Sequence, residues 1–410
     1  MKKHGLLVMV ISILLLLTSC STTTNNFNQT QVHENLLKEN WMRQVNLDPN
    51  KWVSRADAWY LTGQPNSIEQ YDSTAPSAKA ITTMMVRVPD FTQVNVSGDF
   101  QVQIAGRQAH NSVFVIGPNT LARQVVVEIQ NNTLYVHKAK GSKECLKNVI
   151  VRINIHNLQI LKNFGSSNIY GRDVVSDKLL INSYDCGNLF LSGSMNVTRI
   201  NQTGTGNVVI IGADTPDLNI KVIGNGSVNI SGHVGIQHII HQGQGNINIL
   251  GADSDALTID AAGKGQTSVV GYVNLKKINA INSSRVYVYW INSNNLYINS
   301  SGNARIGLAG AVTNMNIDMT NASRFEGQYL RGTNIYVRTR DWAHANVTVD
   351  KKTFAAALGN SSIYIFGSPN MVSRYTSQNG AIIPVWTEAT TPPLSPSFKP
   401  APQRSSYKGG

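Results

Sequence analysis

A short repeat limits this chain to a small set of folds. Residues 204–212 read G-T-G-N-V-V-I-I-G, 224–232 G-N-G-S-V-N-I-S-G, 243–251 G-Q-G-N-I-N-I-L-G and 263–271 G-K-G-Q-T-S-V-V-G. The spacing alternates between 19 and 20 residues. One position in that rhythm stays polar: Asn168, Asn188, Asn207, Ser227, Asn246, Gln266, Arg285, Arg305, Arg324 and His344. Half a repeat away runs an apolar series: Leu161, Ile181, Ile200, Ile220, Ile239, Ile259, Ile278, Ile298, Ile317, Val337 and Ala356. Nine consecutive members are β-branched. Each lies in an alternating pattern such as Leu218-Asn219-Ile220, which marks a strand with one buried face.

Two short strands per repeat cannot bury that face alone. Stacking the repeats does so, each strand pairing in parallel with its copies above and below. The expected fold is all-β: a parallel β-helix with 19–20-residue rungs and an isoleucine ladder inside. About eleven rungs at roughly 4.8 Å give a length of about 50 Å. Residues 81–160 lack the short repeat and read as longer strands, with a hairpin at Asn131-Asn132. They are expected to cap an end that otherwise exposes unpaired strand. The helix proper is expected over 161–370. A tail over 371–410 is rich in Pro and Ser and carries basic residues.

The N-terminus points to export. Lys2 and Lys3 precede the apolar run Leu6 to Leu17, and Leu17-Thr18-Ser19-Cys20 follows. A charged start, a short apolar core and small residues before a cut site describe a signal peptide over 1–19. Twelve apolar residues in a helix rise about 18 Å, short of the roughly 30 Å hydrocarbon core. The cysteine resembles a bacterial lipobox, which implies lipidation of Cys20 and attachment to a membrane. Ser21 in place of an inner-membrane retention aspartate favours the outer membrane. Residues 20–80 read as a tether; its 34–61 segment holds Trp41, Trp52 and Trp59 and is compatible with a short helix.

Charged residues are only 14% of the chain, yet the formal charge is +12. An excess of that sign favours anionic partners. Beyond Cys20 only Cys145 and Cys186 remain, and a disulfide between them is left open.

Val88-Pro-Asp-Phe-Thr-Gln-Val-Asn-Val-Ser-Gly-Asp-Phe-Gln-Val-Gln-Ile104, then Leu134-Tyr-Val and the glycine-rich rungs, resemble the putative auto-transporter adhesin head GIN domain family. The resemblance covers roughly 85–370. It implies an extracytoplasmic, right-handed parallel β-helix, often carried on a lipoprotein, and brings no catalytic residues. The tryptophans of 34–61 and the arginine-bearing rungs depart from the pattern.

β-Helices also include polysaccharide lyases and hydrolases, which need clustered carboxylates on one outer face. Asp214 and Asp253 lie two rungs apart, but both follow a corner glycine, where Asp commonly caps a turn. His238 and His241 are three apart on a strand and so point to opposite faces, which argues against a metal pair. No enzyme, cofactor, metal or nucleic-acid partner is expected. Two non-enzymatic classes remain: an adhesin-like binding module for a glycan or other surface ligand, and, as the alternative, a structural or assembly protein of the outer membrane; a polysaccharide-degrading β-helix enzyme is the second alternative. The candidate ligand face is Arg285, Arg305 and Arg324 with Tyr287 and Tyr289, suited to an acidic glycan or lipopolysaccharide.

Overall fold

The computed structural model describes residues 81–385. The signal, Cys20, the tether with its tryptophans and the chain beyond 385 lie outside the described residues. Within them no helix is long and apolar enough to cross a membrane.

The chain forms a β-solenoid of about 12 turns with parallel rungs of about 19 residues. Ten long strands carry it, from β9 (Asn168–Ser183) to β18 (His344–Gly359). The expected columns pair as read. Ile181, Ile200, Ile220, Ile239, Ile259, Ile278, Ile298, Ile317 and Val337 stand over one another. None is more than 2% exposed. Burying each such side chain is worth about 1.5–3 kcal/mol, so this column is a main source of stability. The series ends differently from expectation. Val337 pairs with Ala355 instead of Ala356, because the register tightens between Gly327 and Asn334.

Each rung has three sides. Along β15 (Arg285–Ser300) the inward residues are 286 and 288, then 291 and 293, then 296, 298 and 300. Alternation breaks at the corners between these groups. The first corner explains the uneven spacing. Gly212, Gly251 and Trp290 have φ of 82°, 81° and 69°. In each case the rung above supplies no partner: Ile211 and Ala213 face the adjacent residues Ser231 and Gly232, Leu250 and Ala252 face Val270 and Gly271, and Tyr289 and Ile291 face Ala309 and Gly310. Each is therefore a β-bulge with a left-handed extra residue, and that residue is the twentieth of its rung. The same long rungs bury a hydroxyl on the second side. Thr215 donates to the Val197 carbonyl at 2.9 Å, and Ser254 accepts from the Ile236 amide at 2.8 Å. These bonds satisfy backbone groups at the second corner, where the ladder skips from Met195 to Arg199 and from Val234 to His238. The structural unit is thus a pair of rungs.

The N-terminal region is more than a cap. β2 (Gln93–Ser97) lies between β6 (Thr133–Lys138) and β8 (Ile160–Asn163), and β3 (Gln101–Ala105) lies between β7 (Ile150–Asn154) and β9. Residues 93–105 are therefore a full member of the parallel stack. The chain leaves it, builds the layer beneath, and returns at Ile160. Antiparallel strands then close the end. β4 (Ser112–Pro118) pairs with β7, β1 (Ile81–Val86) with β4, and β5 (Val125–Gln130) with β6. The β5–β6 hairpin turns at Asn131 and Asn132 as expected, with φ of 49° and 61°.

The other boundary needs correction. β20 (Met371–Gln378) pairs with β18, and β21 (Ala381–Val385) pairs with β19 (Ser362–Phe366). Residues 371–385 are a final rung and not the start of a tail. Their alternation is weak because β20 is mostly exposed, so little burial marks it in the sequence.

Candidate ligand-binding surface

The polar column on the first side begins with a structural duty. Asn168 Oδ1 accepts the Asn188 amide at 3.0 Å, Asn188 Oδ1 the Asn207 amide at 2.9 Å, and Asn207 Oδ1 the Ser227 amide at 3.0 Å. Ser227 Oγ and Asn246 Oδ1 do the same for Asn246 and Gln266, at 3.0 and 3.1 Å. A side chain in each rung thus caps the strand start of the next.

At Arg285 the duty moves to the backbone. The turn before it adopts a new form, with left-handed residues Asn282, Gly302, Asn321 and Asp341 in successive rungs at φ of 61°, 71°, 59° and 63°. The amides of Arg305, Arg324 and His344 now donate to the carbonyls of Ser284, Ala304 and Ser323, at 2.9, 2.8 and 3.0 Å. The side chains are released. Arg285, Arg305 and Arg324 stand in register and exposed. Among the described residues no carboxylate lies within ion-pair distance of any of them. Glu326, two residues beyond Arg324, makes no such pair either. His344 ends the column, with Nδ1 2.8 Å from Ser362 Oγ and Nε2 3.0 Å from Asn346 Oδ1. Burial pushes its pKa down and the Arg324 charge adds to this, against the Asn346 hydrogen bond, so the positive charge stops at three arginines.

The two tyrosines are less free than expected. Val286 and Val288 point inward and are fully buried, which places Tyr287 and Tyr289 outward, but both are half-buried. The Tyr287 ring lies over Gly307 in the next rung: a Cβ there would sit 2.7 Å from Cδ1. Burial first, then Glu326, raises the Tyr287 pKa, against Arg285 and Arg305. Burial likewise raises that of Tyr289, helped by Tyr287 and Glu326. Both stay neutral donors beside the arginines.

The third side holds a feature missed in the sequence. The column just before the isoleucines reads Thr258, Lys277, Tyr297, Asn316, Tyr336 and Phe354. Tyr336 stacks on Phe354, centroids 5.1 Å apart and 4° from parallel. Beside them runs Asp260, Asn279, Asn299, Asp318 and Arg338. Lys277, Tyr297, Asn316 and Tyr336 of the first column and Asn299, Asp318 and Arg338 of the second line a recess of about 520 Å³. Burial raises the Asp318 carboxyl, but hydrogen bonds and charge from Arg338 and Arg340 outweigh this and hold it below the ordinary carboxylate range.

Other sequence candidates resolve differently. Asp214 and Asp253 do not face an open gap. His233 lies between them, Nδ1 3.5 Å from Asp214 and Nε2 2.9 Å from Asp253. His238 and His241 do point apart: the first meets Asp260 at 2.7 Å on the surface, and the second is buried against Thr267 at 2.9 Å. Cys145 and Cys186 are free and exposed. Cys20 lies outside the described residues.

Stacked parallel rungs, a closed interior and polar columns on the outer sides define a β-solenoid whose surface is a regular display of side chains. The chain belongs to the family described as "Putative auto-transporter adhesin, head GIN domain", whose model matches residues 90–276 and 268–369. That description is of an adhesin head and points to the cell envelope or surface. Solved structures of low similarity include a "putative adhesin" from Bacteroides fragilis, at 14% identity and TM-score 0.25, covering 75% of this chain and 99% of that one. A "putative lipid binding protein" from Parabacteroides distasonis shows 14% identity and TM-score 0.25, covering 74% and 96%. A "putative adhesin" from Parabacteroides merdae shows 12% and 0.24, covering 74% and 96%. No protein of curated function matches the sequence.

Proposed function

We propose that this chain is a non-enzymatic adhesin-type solenoid, held at the outer membrane by a lipid on Cys20, that binds an acidic glycan along Arg285, Arg305 and Arg324. The observation that carries this is the exposed, in-register arginine column without a counter-ion. Guanidinium groups held at the strand spacing of about 4.8 Å would repel by about 1 kcal/mol even in water. A polymer bearing carboxylates or phosphates, lipopolysaccharide included, relieves that repulsion and offers acceptors to each arginine fork. No structural need keeps arginine there, since the backbone has taken over the capping role.

The test is binding of full-length protein in detergent to an acidic polysaccharide across a salt series. R285Q/R305Q/R324Q is expected to lose the salt-sensitive component while circular dichroism stays that of the parent. Equal binding by parent and variant at every salt concentration rejects the column as the site. In the same preparation, Cys20→Ala is expected to pass from the detergent to the aqueous phase; retention in detergent rejects the lipid anchor.

A further inference from the structure

The recess on the third side lies on a different face from the arginine column and has a different design. We propose that it is a second binding site, which holds one hexuronate residue of a glycan chain between Tyr297 and Tyr336. The inference rests on the geometry of the recess and stands without the arginine column.

Two aromatic residues flank a small polar one. Tyr297, Asn316 and Tyr336 occupy one column in three successive rungs. Tyr297 is 55% exposed and Tyr336 is 39% exposed. Phe354 covers the far side of Tyr336 and fixes that ring, leaving its other side to the recess. Two rung steps separate the tyrosines by about 9.6 Å. A flat ring touching both walls needs only about 7–8 Å, from two contacts of 3.5–4.0 Å. A chair-form sugar ring carries C–H groups on both faces and needs about an ångström more. The slot therefore suits a pyranose better than a nucleobase or an aromatic side chain.

The floor and rim supply the polar contacts such a ring requires. Asn316 is exposed at the floor. Asn299 donates its amide to Asn279 at 3.1 Å, which leaves its carbonyl oxygen for a sugar hydroxyl. Asp318 is an acceptor held in place by Arg338 and Arg340. Lys277 lines the recess, and among the described residues it makes no ion pair. Among the lining residues, Lys277 and Arg338 against Asp318 leave one positive charge in excess. That balance selects a carboxylated ring over a neutral one, with Lys277 as the partner of the carboxylate.

The probe is hexagalacturonate, with its methyl ester as the uncharged control. Binding is measured by calorimetry on full-length protein in detergent, in the R285Q/R305Q/R324Q background, so that the first side cannot contribute. The background variant is expected to bind the acid at least tenfold more tightly than the ester. Asn316→Trp, which fills the slot from an exposed position, and Tyr297→Ala, which removes one wall, are each expected to weaken the acid at least tenfold. Lys277→Gln is expected to bring the acid to the level of the ester. Absence of binding in the background variant overturns this inference and leaves the arginine reading intact. Unchanged binding by both Asn316→Trp and Tyr297→Ala overturns the site, and equal affinity for acid and ester overturns the uronate assignment.

Discussion

The rungs from Asn188 to Gly265 and those from Arg285 to Ser361 share one interior but differ at the corner before the first side. In the earlier set a G-x-G corner packs backbone on backbone. A Cβ on Gly206, Gly226, Gly245 or Gly265 would lie within 2.1 Å of the carbonyl oxygen of the glycine one rung below. The strand amide that follows is capped by an Asn or Ser side chain. In the later set a left-handed turn residue brings a backbone carbonyl to that amide, and the side chain is released. Arginines occupy the released column. Where side chains hold the solenoid together, the surface is uniform; where the backbone takes over, the surface can vary.

The largest expected effects test the part both regions share. Ile259→Asp and Ile298→Asp each bury an unpartnered carboxylate and are expected to cost several kcal/mol, about 4 or more, or to prevent folding. Thr258→Asn, one residue before Ile259 and outward, is expected to stay within about 0.5 kcal/mol. Urea denaturation followed by circular dichroism measures both. Tolerance of aspartate in only one region means that the interior is not continuous.

A smaller contrast separates the two corners. Gly226→Ala places a Cβ 1.9 Å from the Gly206 carbonyl oxygen, so the rungs must move apart, at a cost of about 3 kcal/mol. Gly302→Asn also meets backbone, at 2.7 Å from the Asn282 oxygen. Asn321 and Asp341, however, already carry side chains at that position in the next two rungs. The expected cost is about 1 kcal/mol. Similar denaturation midpoints for the two variants erase the distinction between corners.

The smallest effect sharpens the account of capping. Asn207→Ala removes the acceptor of the Ser227 amide and is expected to cost about 1 kcal/mol, with faster hydrogen exchange at that amide. Arg305→Ala leaves the Arg324 amide bonded to the Ala304 carbonyl, so exchange there is expected to stay within about twofold of the parent. Faster exchange at Arg324 in the second variant shows that the arginine side chain still has a structural role.

Much of this was legible because a parallel stack copies sequence period into spatial column. The isoleucine ladder, the arginine register and the polar column follow from counting 19 and 20 residues. The same counting would have exposed the aromatic recess, since Lys277, Tyr297, Asn316 and Tyr336 each precede a member of the apolar series. It would also have placed His233 between Asp214 and Asp253. Other features were hidden for physical reasons. The same bulge is filled by Asp173 in an earlier rung and by Trp290 in a later one, so the glycine signal of Gly212 and Gly251 is absent on either side of those two copies. The insertion of residues 93–105 into the stack joins strands far apart in the chain, and no local alternation reports such a pairing. The last rung resembles a tail in the sequence because Pro384 and the polar face of β20 match linker composition.

The pairing of rungs fixes the step by which this molecule can change its length. Excising residues 207–245 joins Gly206 to Asn246, so the Gly251 bulge, the Ser254 hydroxyl and the Asn246 side chain land where Gly212, Thr215 and Asn207 stood. Excising 207–226 alone sets a rung without a bulge on another of the same kind, and the corner registers no longer match. Loss or duplication of a whole pair of rungs is therefore expected to keep every corner in register, and loss of a single rung to break it.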